Sequence, residues 1–189
     1  MKNILYLFAL VVLITSCSEH QKAIKSEDIA VKFVTATKMY EAKKYSKAIR
    51  LFEQIAPAYK GKPQAEHMFF MYSQSLYKTN QFYLAGYQFE SFIKAYPLSQ
   101  KVDEAAYLGA YSYYKTSPVF SLDQKETLTA IDKLQEFINT YPNSEKMSDA
   151  NDLVQELRIK LEYKAFEIAK QFNTIRTNSQ IRQFCLDLF

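Results

Sequence analysis

Glycine and histidine are so scarce in this chain of 189 residues that several kinds of active site are excluded. With only 3 glycines, the chain cannot form a glycine-rich loop that cradles phosphate groups. The 2 histidines, His20 and His67, are far apart, and neither belongs to a His-x-x-x-His motif or to another metal-ligand motif. Carboxylates alternate with lysines, as in residues 41–44, which is typical of a solvated helix surface. We therefore predict a non-enzymatic protein with no catalytic residue, no metal site and no cofactor.

Turn-forming residues and cysteines are also few. Only 5 prolines accompany the glycines while 48% of the residues are hydrophobic, a composition that favours helices over tight β-hairpins. The two cysteines, Cys17 and Cys185, supply no disulfide framework, so the hydrophobic core must stabilise the fold alone. A net charge of +4 is small and dispersed, which argues against nucleic acid as a partner. Tryptophan is absent, but 15 tyrosines and 14 phenylalanines require a role in a core or in a binding surface.

The N-terminus has the pattern of a secretion signal. A positive charge at Lys2 precedes an apolar run over residues 4–14 that only Tyr6 interrupts. This run of 11 residues is about half as long as a helix that crosses a bilayer. We therefore predict a cleavable signal peptide over residues 1–16 rather than a membrane span.

The residues that follow the apolar run carry a modification motif. The sequence Leu-Ile-Thr-Ser-Cys that ends at Cys17 resembles the lipobox of bacterial lipoproteins. The resemblance implies cleavage before Cys17, covalent lipid on its thiol and a lipidated linker over residues 17–25. An ordinary thiol at Cys17 is the alternative. Ser18 follows where an aspartate would favour the inner membrane, so the outer membrane is the expected location.

The remaining chain repeats itself at an offset of 37 residues. Tyr40 superposes on Tyr77 and Tyr114, and Ala48 superposes on Ala85. After residue 116 the offset grows to 45, which places an insertion of 8 residues in the third copy. Within a domain over residues 26–189 we therefore expect repeats at about 26–62, 63–98 and 99–143 and a partial repeat at 144–189.

Each repeat has the pattern of two helices. Apolar residues recur at intervals of three and four on both sides of a short polar break, which is residues 78–81 in the second copy. Small residues such as Ala85 allow the helices to approach closely, and large ones such as Phe89 fill the space beyond. Pro97 and Pro142 end the second helices, as proline does in tetratricopeptide repeats, which the pattern resembles. The predicted fold is all-α, a tetratricopeptide-type helical-hairpin solenoid of about three full repeats and a partial fourth.

Short polar signals predict where helices begin. Ser99 and Ser144 are candidate N-caps, and Asp123 with Glu126 has the spacing of a capping box. The insertion in the third repeat is an apolar loop over residues 117–122. Two interpretations of it stay open, a loop that extends into solvent and a segment that folds onto the solenoid or onto a partner.

A long apolar helical stripe follows Ser144 and continues to Phe172, which predicts one long first helix. Residues 173–189 lack the Ala, Phe and Tyr-Pro pattern of a second helix. Two explanations stay open: the chain ends in a makeshift apolar cap, or the product is a shortened version of a longer protein. The candidate cap residues are Phe184, Leu186, Leu188 and Phe189.

The first helices carry a row of aromatic side chains. In tetratricopeptide folds the first helix of each pair lines a groove, and the repeat register assigns groove positions here. Tyrosine suits extended peptides because it offers a large contact area and a hydroxyl group at a small cost in conformational entropy. Packing between helices is the alternative, above all for the three tyrosines at equivalent positions. The predicted peptide-binding residues are Phe33, Tyr40, Phe70, Gln74, Tyr77, Tyr107, Tyr111 and Tyr114.

Several segments together resemble one family of repeat lipoproteins. Residues 137–144 (FINTYPNS), the Asp149-Ala150 pair and residues 157–163 (LRIKLEY) are similar to the junction between the third and fourth repeats of the BamD family. Residues 117–124 (SPVFSLDQ) resemble the intervening loop of that family. With the lipobox, the resemblance covers roughly residues 17–172.

This resemblance implies a function. BamD-family proteins are lipid-anchored at the periplasmic face of the outer membrane, where they help to insert β-barrel proteins. The implied partners are the barrel-forming assembly subunit and unfolded outer-membrane proteins, whose aromatic-ended terminal strand would lie in the groove. Two alternatives remain: another periplasmic tetratricopeptide-repeat scaffold that coordinates cell-wall synthesis, or a truncated inactive copy.

Overall fold

The computed structural model describes the backbone of residues 19–186 and the side chains of residues 19–177. The predicted signal peptide, Cys17 and the side chains of the candidate cap lie outside these residues. Within the described part of the chain the regular structure is helical and contains no strand, which confirms the predicted all-α class. The helices are α1 (residues 19–25), α2 (Ile29–Glu41), α3 (Tyr45–Tyr59), α4 (Ala65–Lys78), α5 (Phe82–Ala95), α6 (Val102–Thr116), α7 (Lys125–Thr140) and α8 (Met147–Leu186).

The helices belong to two compact units, one that ends at Ser112 and one that begins at Tyr113. In the first unit α2 packs on α3, α3 on α4, and α4 on α5, as expected for successive helical hairpins. In the second unit α7 packs on α8. Because each hairpin is short, neighbouring hairpins must share a core.

The core of the first unit contains small residues where helices approach closely and large rings beside them. Ala48 and Ala85, which the repeat register makes equivalent, are both fully buried, as are Phe52 and Phe89. A Cβ added at Gly109 would lie 3.2 Å from the Cβ of Phe89, so α5 and α6 approach each other closely at this glycine. The predicted alternation of small and large core residues is therefore observed.

The turns inside the first two hairpins show the repeat most directly. Lys43 (φ 56°) and Asn80 (φ 60°) are 37 residues apart, and both adopt the left-handed conformation that closes a tight turn. The amide of Lys44 donates to the carbonyl of Met39 at 2.8 Å, and the equivalent bond of the second hairpin, from Gln81 to Leu76, is 3.0 Å long. The two hairpins therefore share a backbone conformation as well as a sequence pattern.

Residues 19–25 differ from the predicted linker, because they form α1 and pack onto the first hairpin. Ala23 is buried in the core, and the His20 imidazole Nε2 lies 3.1 Å from the carbonyl oxygen of Lys47. Desolvation of this ring lowers the pKa of His20. An ion pair of 2.8 Å joins Glu19 to Lys38 on α2. The sequence pattern did not indicate this helix, because its residues do not belong to the repeat.

In the second unit the inserted loop packs against α8, which decides between the two interpretations of residues 117–122. The rings of Phe120 and Tyr163 contact edge to face at 4.7 Å. The ammonium group of Lys160 donates to the hydroxyl of Ser117 at 2.9 Å, and Lys164 donates to the carbonyl of Leu122. The loop therefore has its own contacts within the second unit.

The predicted capping box at Asp123 and Glu126 is wrong. Helix α7 begins one residue later, so its N-cap is Gln124, whose side chain makes no capping bond. The Gln124 amide nitrogen instead donates to the carbonyls of Val119 and Leu122, both at 2.9 Å, while its oxygen accepts from the Thr127 hydroxyl at 2.8 Å. The buried Gln124 side chain therefore holds the loop through these hydrogen bonds. Gln124, rather than the exposed Asp123, occupies the N-cap position of α7.

Neither predicted serine N-cap lies at the start of its helix, since α6 begins at Val102 and α8 at Met147, three residues after each serine. Each serine hydroxyl instead accepts a backbone hydrogen bond just before the helix. The Ser99 hydroxyl accepts from the amide of Lys101 at 3.1 Å before α6. Equivalently, the Ser144 hydroxyl accepts from the amide of Lys146 at 3.2 Å before α8. Beyond Ser144, α8 runs without a break for 40 residues, which agrees with the predicted long first helix.

Candidate functional site

The first helices of the first unit bring most of the predicted binding residues together. Helices α2, α4 and α6 each contribute aromatic or polar side chains that contact one another across the helices. We call this surface the tyrosine face; it consists of Tyr40, Gln74, Tyr77, Glu104, Tyr107 and Tyr111.

A chain of hydrogen bonds crosses the tyrosine face. The hydroxyl of Tyr40 on α2 donates to the side-chain oxygen of Gln74 on α4. The amide nitrogen of Gln74 then donates to the carboxylate of Glu104 on α6 at 3.0 Å. Desolvation, followed by the influence of Tyr45 and Glu104, raises the pKa of Tyr40. Tyr40 therefore stays protonated at neutral pH, and its hydroxyl remains a hydrogen-bond donor.

One helical turn further, tyrosine rings form a cluster. Tyr77 on α4 and Tyr111 on α6 have ring centres 6.2 Å apart, and Tyr107 stacks on Tyr111 at 5.9 Å. Phe82 also contacts Tyr77 edge to face, with ring centres 5.8 Å apart. The three tyrosines are all half-buried, so each ring packs against its neighbours and still presents part of its surface to solvent.

Phe70 does not lie on this face, and its prediction as a groove residue was wrong. Only 2% of its surface is exposed, because the ring packs on Phe92 at 5.4 Å and on Phe89 at 6.3 Å. The ammonium group of Lys101 covers it at 4.3 Å from the ring centre. Without a hydroxyl to keep in water, this ring gains most by entering the core between α4 and α5.

Phe33 and Tyr114 also have other surroundings. Phe33 stacks on Tyr59 at 5.0 Å, at the junction of α2 and α3, and is partly buried against the core. Tyr114 belongs to the second unit, where its hydroxyl donates to both carboxylate oxygens of Glu156 on α8, at 2.8 and 2.9 Å. These two residues therefore do not belong to the tyrosine face as defined above.

Sequence reasoning missed a cleft of about 730 Å³ in the first unit. It lies between the second helices α3 and α5, and Phe69 and Tyr72 of α4 also line it. Burial, together with Glu53, raises the pKa of Tyr72 to about 12. The only signal in the sequence was the presence of these two aromatic residues on α4 outside the predicted groove positions. The remaining lining residues include Pro57, Gly61, Tyr87, Ser91 and Tyr96.

None of the helices that the structure describes combines the length and the apolar character that crossing a bilayer requires. In this same part of the chain, no three histidine, cysteine or acidic side chains come together as metal ligands would. The tyrosine face itself offers aromatic rings, an amide and a carboxylate.

Comparison with known proteins identifies the family. Residues 26–179 match the profile of the YfiO family, described as outer membrane lipoprotein, and this match covers most of the chain. No curated protein matches the sequence. The matched range includes every helix from α2 to α7 and most of α8, so it contains the tyrosine face and the inserted loop. The chain belongs to the YfiO family of outer membrane lipoproteins.

Proposed function

We propose that this protein is a non-enzymatic, BamD-type subunit of the machinery that assembles β-barrel proteins into the outer membrane. In this proposal lipid on Cys17 holds the chain at the periplasmic face of the membrane. The tyrosine face binds segments of unfolded outer-membrane proteins, and the protein also contacts the barrel-forming subunit. Membership of an outer membrane lipoprotein family supports the location, and the tyrosine face supports the binding role.

The spacing of the rings is the observation that carries the proposal. In an extended peptide, side chains on the same side are about 6.6 Å apart, since each residue advances the chain by about 3.3 Å. The ring centres of Tyr77, Tyr111 and Tyr107 are 6.2 and 5.9 Å apart, which is close to that spacing. Aromatic side chains of a strand could therefore contact successive rings of the face.

Polar groups beside the rings suit the backbone of such a strand. The Gln74 amide and the Glu104 carboxylate lie one turn from the ring cluster, and both are hydrogen-bonded to each other in the structure. A carboxylate accepts hydrogen bonds from backbone amides, and an extended segment presents such amides at regular intervals. Rings would then supply contact area, while these polar groups would fix the direction of the bound segment.

Replacing Tyr111 with alanine is expected to weaken peptide binding roughly tenfold, since a central aromatic residue often contributes more than 1 kcal/mol. The probe is a fluorescent peptide with alternating apolar residues and a C-terminal phenylalanine, and its dissociation constant is measured by anisotropy. Tyr87→Ala is the matched control, because Tyr87 is exposed on α5 and lines the cleft between α3 and α5 instead of the tyrosine face. Tyr111→Phe keeps the ring and should retain most of the affinity. Loss of binding in Tyr87→Ala with no change in Tyr111→Ala would contradict the proposal.

A further inference from the structure

The apolar stripe of α8 continues beyond the part that packs on α7. Val154, Leu161, Ile168 and Ile175 recur every seven residues, so they lie on one face of the helix. Val154 is buried at the beginning of this stripe, together with Leu157. Ile168 and Ile175 occupy the same stripe but are 42% and 63% exposed. The same face therefore changes from a buried core to an open surface along one continuous helix.

A large ring enlarges this open surface. Phe172, four residues after Ile168 and three before Ile175, is 68% exposed. Such a group of large apolar side chains on one helical face is characteristic of an interaction surface rather than of a solvated helix. We call the surface formed by Ala165, Ile168, Phe172 and Ile175 the distal stripe.

We propose that the distal stripe pairs with the distal stripe of a second copy of this chain, in an antiparallel arrangement with twofold symmetry. In that arrangement Ile168 of one copy lies opposite Phe172 of the other. Ile175 lies opposite the small side chain of Ala165. The two large side chains at the centre therefore pack on each other, and the outer large side chain packs on a small one. Because of the twofold symmetry, each of these contacts occurs twice.

The charges beside the stripe fit the same arrangement. On a helix with 3.6 residues per turn, Glu162 and Arg176 lie on the same flank of the distal stripe. In the antiparallel pair Glu162 of one copy comes within about 3 Å, along the helix axis, of the level of Arg176 in the other. Both residues are exposed, and twofold symmetry creates two such oppositely charged pairs. A parallel pair with twofold symmetry would instead place this flank of the two copies on opposite sides of the interface, so neither ion pair could form.

The size of the distal stripe determines how strongly two copies are expected to bind. From Ala165 to Ile175 it is about 15 Å long, at 1.5 Å per residue, so the contact falls at the small end of specific protein interfaces. We therefore expect a weak dimer that depends on concentration. Attachment to a membrane surface, as in the family of outer membrane lipoproteins, raises the local concentration and favours pairing.

Disulfide trapping in the cell envelope tests the pairing with the full-length protein. One copy carries Ile168→Cys, a second copy with a different tag carries Phe172→Cys, and both carry Cys185→Ser to remove the other downstream thiol. The expected result is a disulfide between the two differently tagged copies. Lys170→Cys with Thr174→Cys is the matched control pair, because these positions lie on the opposite face of the same helix.

Charge reversal supplies the second measurement. Arg176→Glu is expected to lower the trapped fraction roughly two- to tenfold, in line with two exposed ion pairs. Adding Glu162→Arg to the same chain should restore it. The proposal is overturned if the mixed disulfide is no more abundant than in the control pair, or if each cysteine variant crosslinks equally well to itself. Crosslinks that join the stripe to a different protein, or protection of the introduced thiol at position 168 without dimer formation, would overturn it as well.

Discussion

Replacing Phe89 with alanine is expected to lower the free energy of unfolding by about 3–5 kcal/mol. The ring is fully buried, and it packs on Phe70 with ring centres 6.3 Å apart. Helix α6 also approaches Phe89 closely, since a Cβ added at Gly109 would lie 3.2 Å from the Cβ of Phe89. Helices on both sides are held by the other packed side chains, so they cannot collapse fully into the cavity, and the loss includes a cavity term.

Urea denaturation followed by circular dichroism measures this loss. Tyr83→Ala is the matched control, since Tyr83 is on the same helix but 72% exposed, and it should change stability by less than about 0.5 kcal/mol. Equal stabilities of the two variants would mean that Phe89 is not the core residue of the second hairpin that the structure describes.

Replacing Cys17 with serine is expected to abolish lipid attachment and, with it, membrane anchoring. A hydroxyl cannot form the thioether that the lipobox resemblance implies. Each buried CH₂ of an acyl chain contributes about 0.8 kcal/mol, so loss of all the chains removes the whole anchor. Fractionation of the cell envelope and the intact mass of the protein measure the effect.

Cys185→Ser is the control for this substitution, because it removes the other thiol of the chain. The control protein should keep both the lipid mass and its membrane location. If Cys17→Ser stayed in the membrane fraction with an unchanged mass, a different kind of membrane attachment would have to replace the lipid anchor in our proposal.

The repeat could be predicted from the sequence because it fixes local and tertiary structure together. An offset of 37 residues, found by aligning the chain with itself, also separates Lys43 from Asn80 at the tips of two equivalent turns. Ala48 and Ala85 are buried for the same reason that they recur, since a larger side chain would separate the two helices of a hairpin. The helical hairpins follow from that pattern.

The features that sequence could not predict depend on competition between neighbouring groups. Phe70 and Tyr107 occupy equivalent positions, but the phenylalanine enters the core while the tyrosine stays on the tyrosine face. Asp123 had the spacing of a cap, but Gln124 took the position because its amide also satisfies loop carbonyls. Such outcomes depend on which side chain makes more contacts and hydrogen bonds in the folded structure. The spacing of residues along the sequence does not contain this information.

The tyrosine face itself was only partly predictable. Repeat register identified Tyr40, Gln74 and Tyr77, but it did not indicate that Gln74 connects three helices by hydrogen bonds. Glu104 was absent from the prediction because a single carboxylate near a helix start resembles an ordinary favourable charge at that position. Only its hydrogen bond with Gln74 in the structure places Glu104 on the tyrosine face.

Site-specific crosslinking in cells can show whether the tyrosine face binds segments of unfolded outer-membrane proteins. A photoreactive amino acid replaces Tyr77 or Tyr107 in the full-length protein, and the same group at Tyr87 serves as the comparison on the other side of the first unit. We expect crosslinks from the first two positions to the terminal strand of newly made outer-membrane proteins. Crosslinks to those strands from position 87 alone would contradict it.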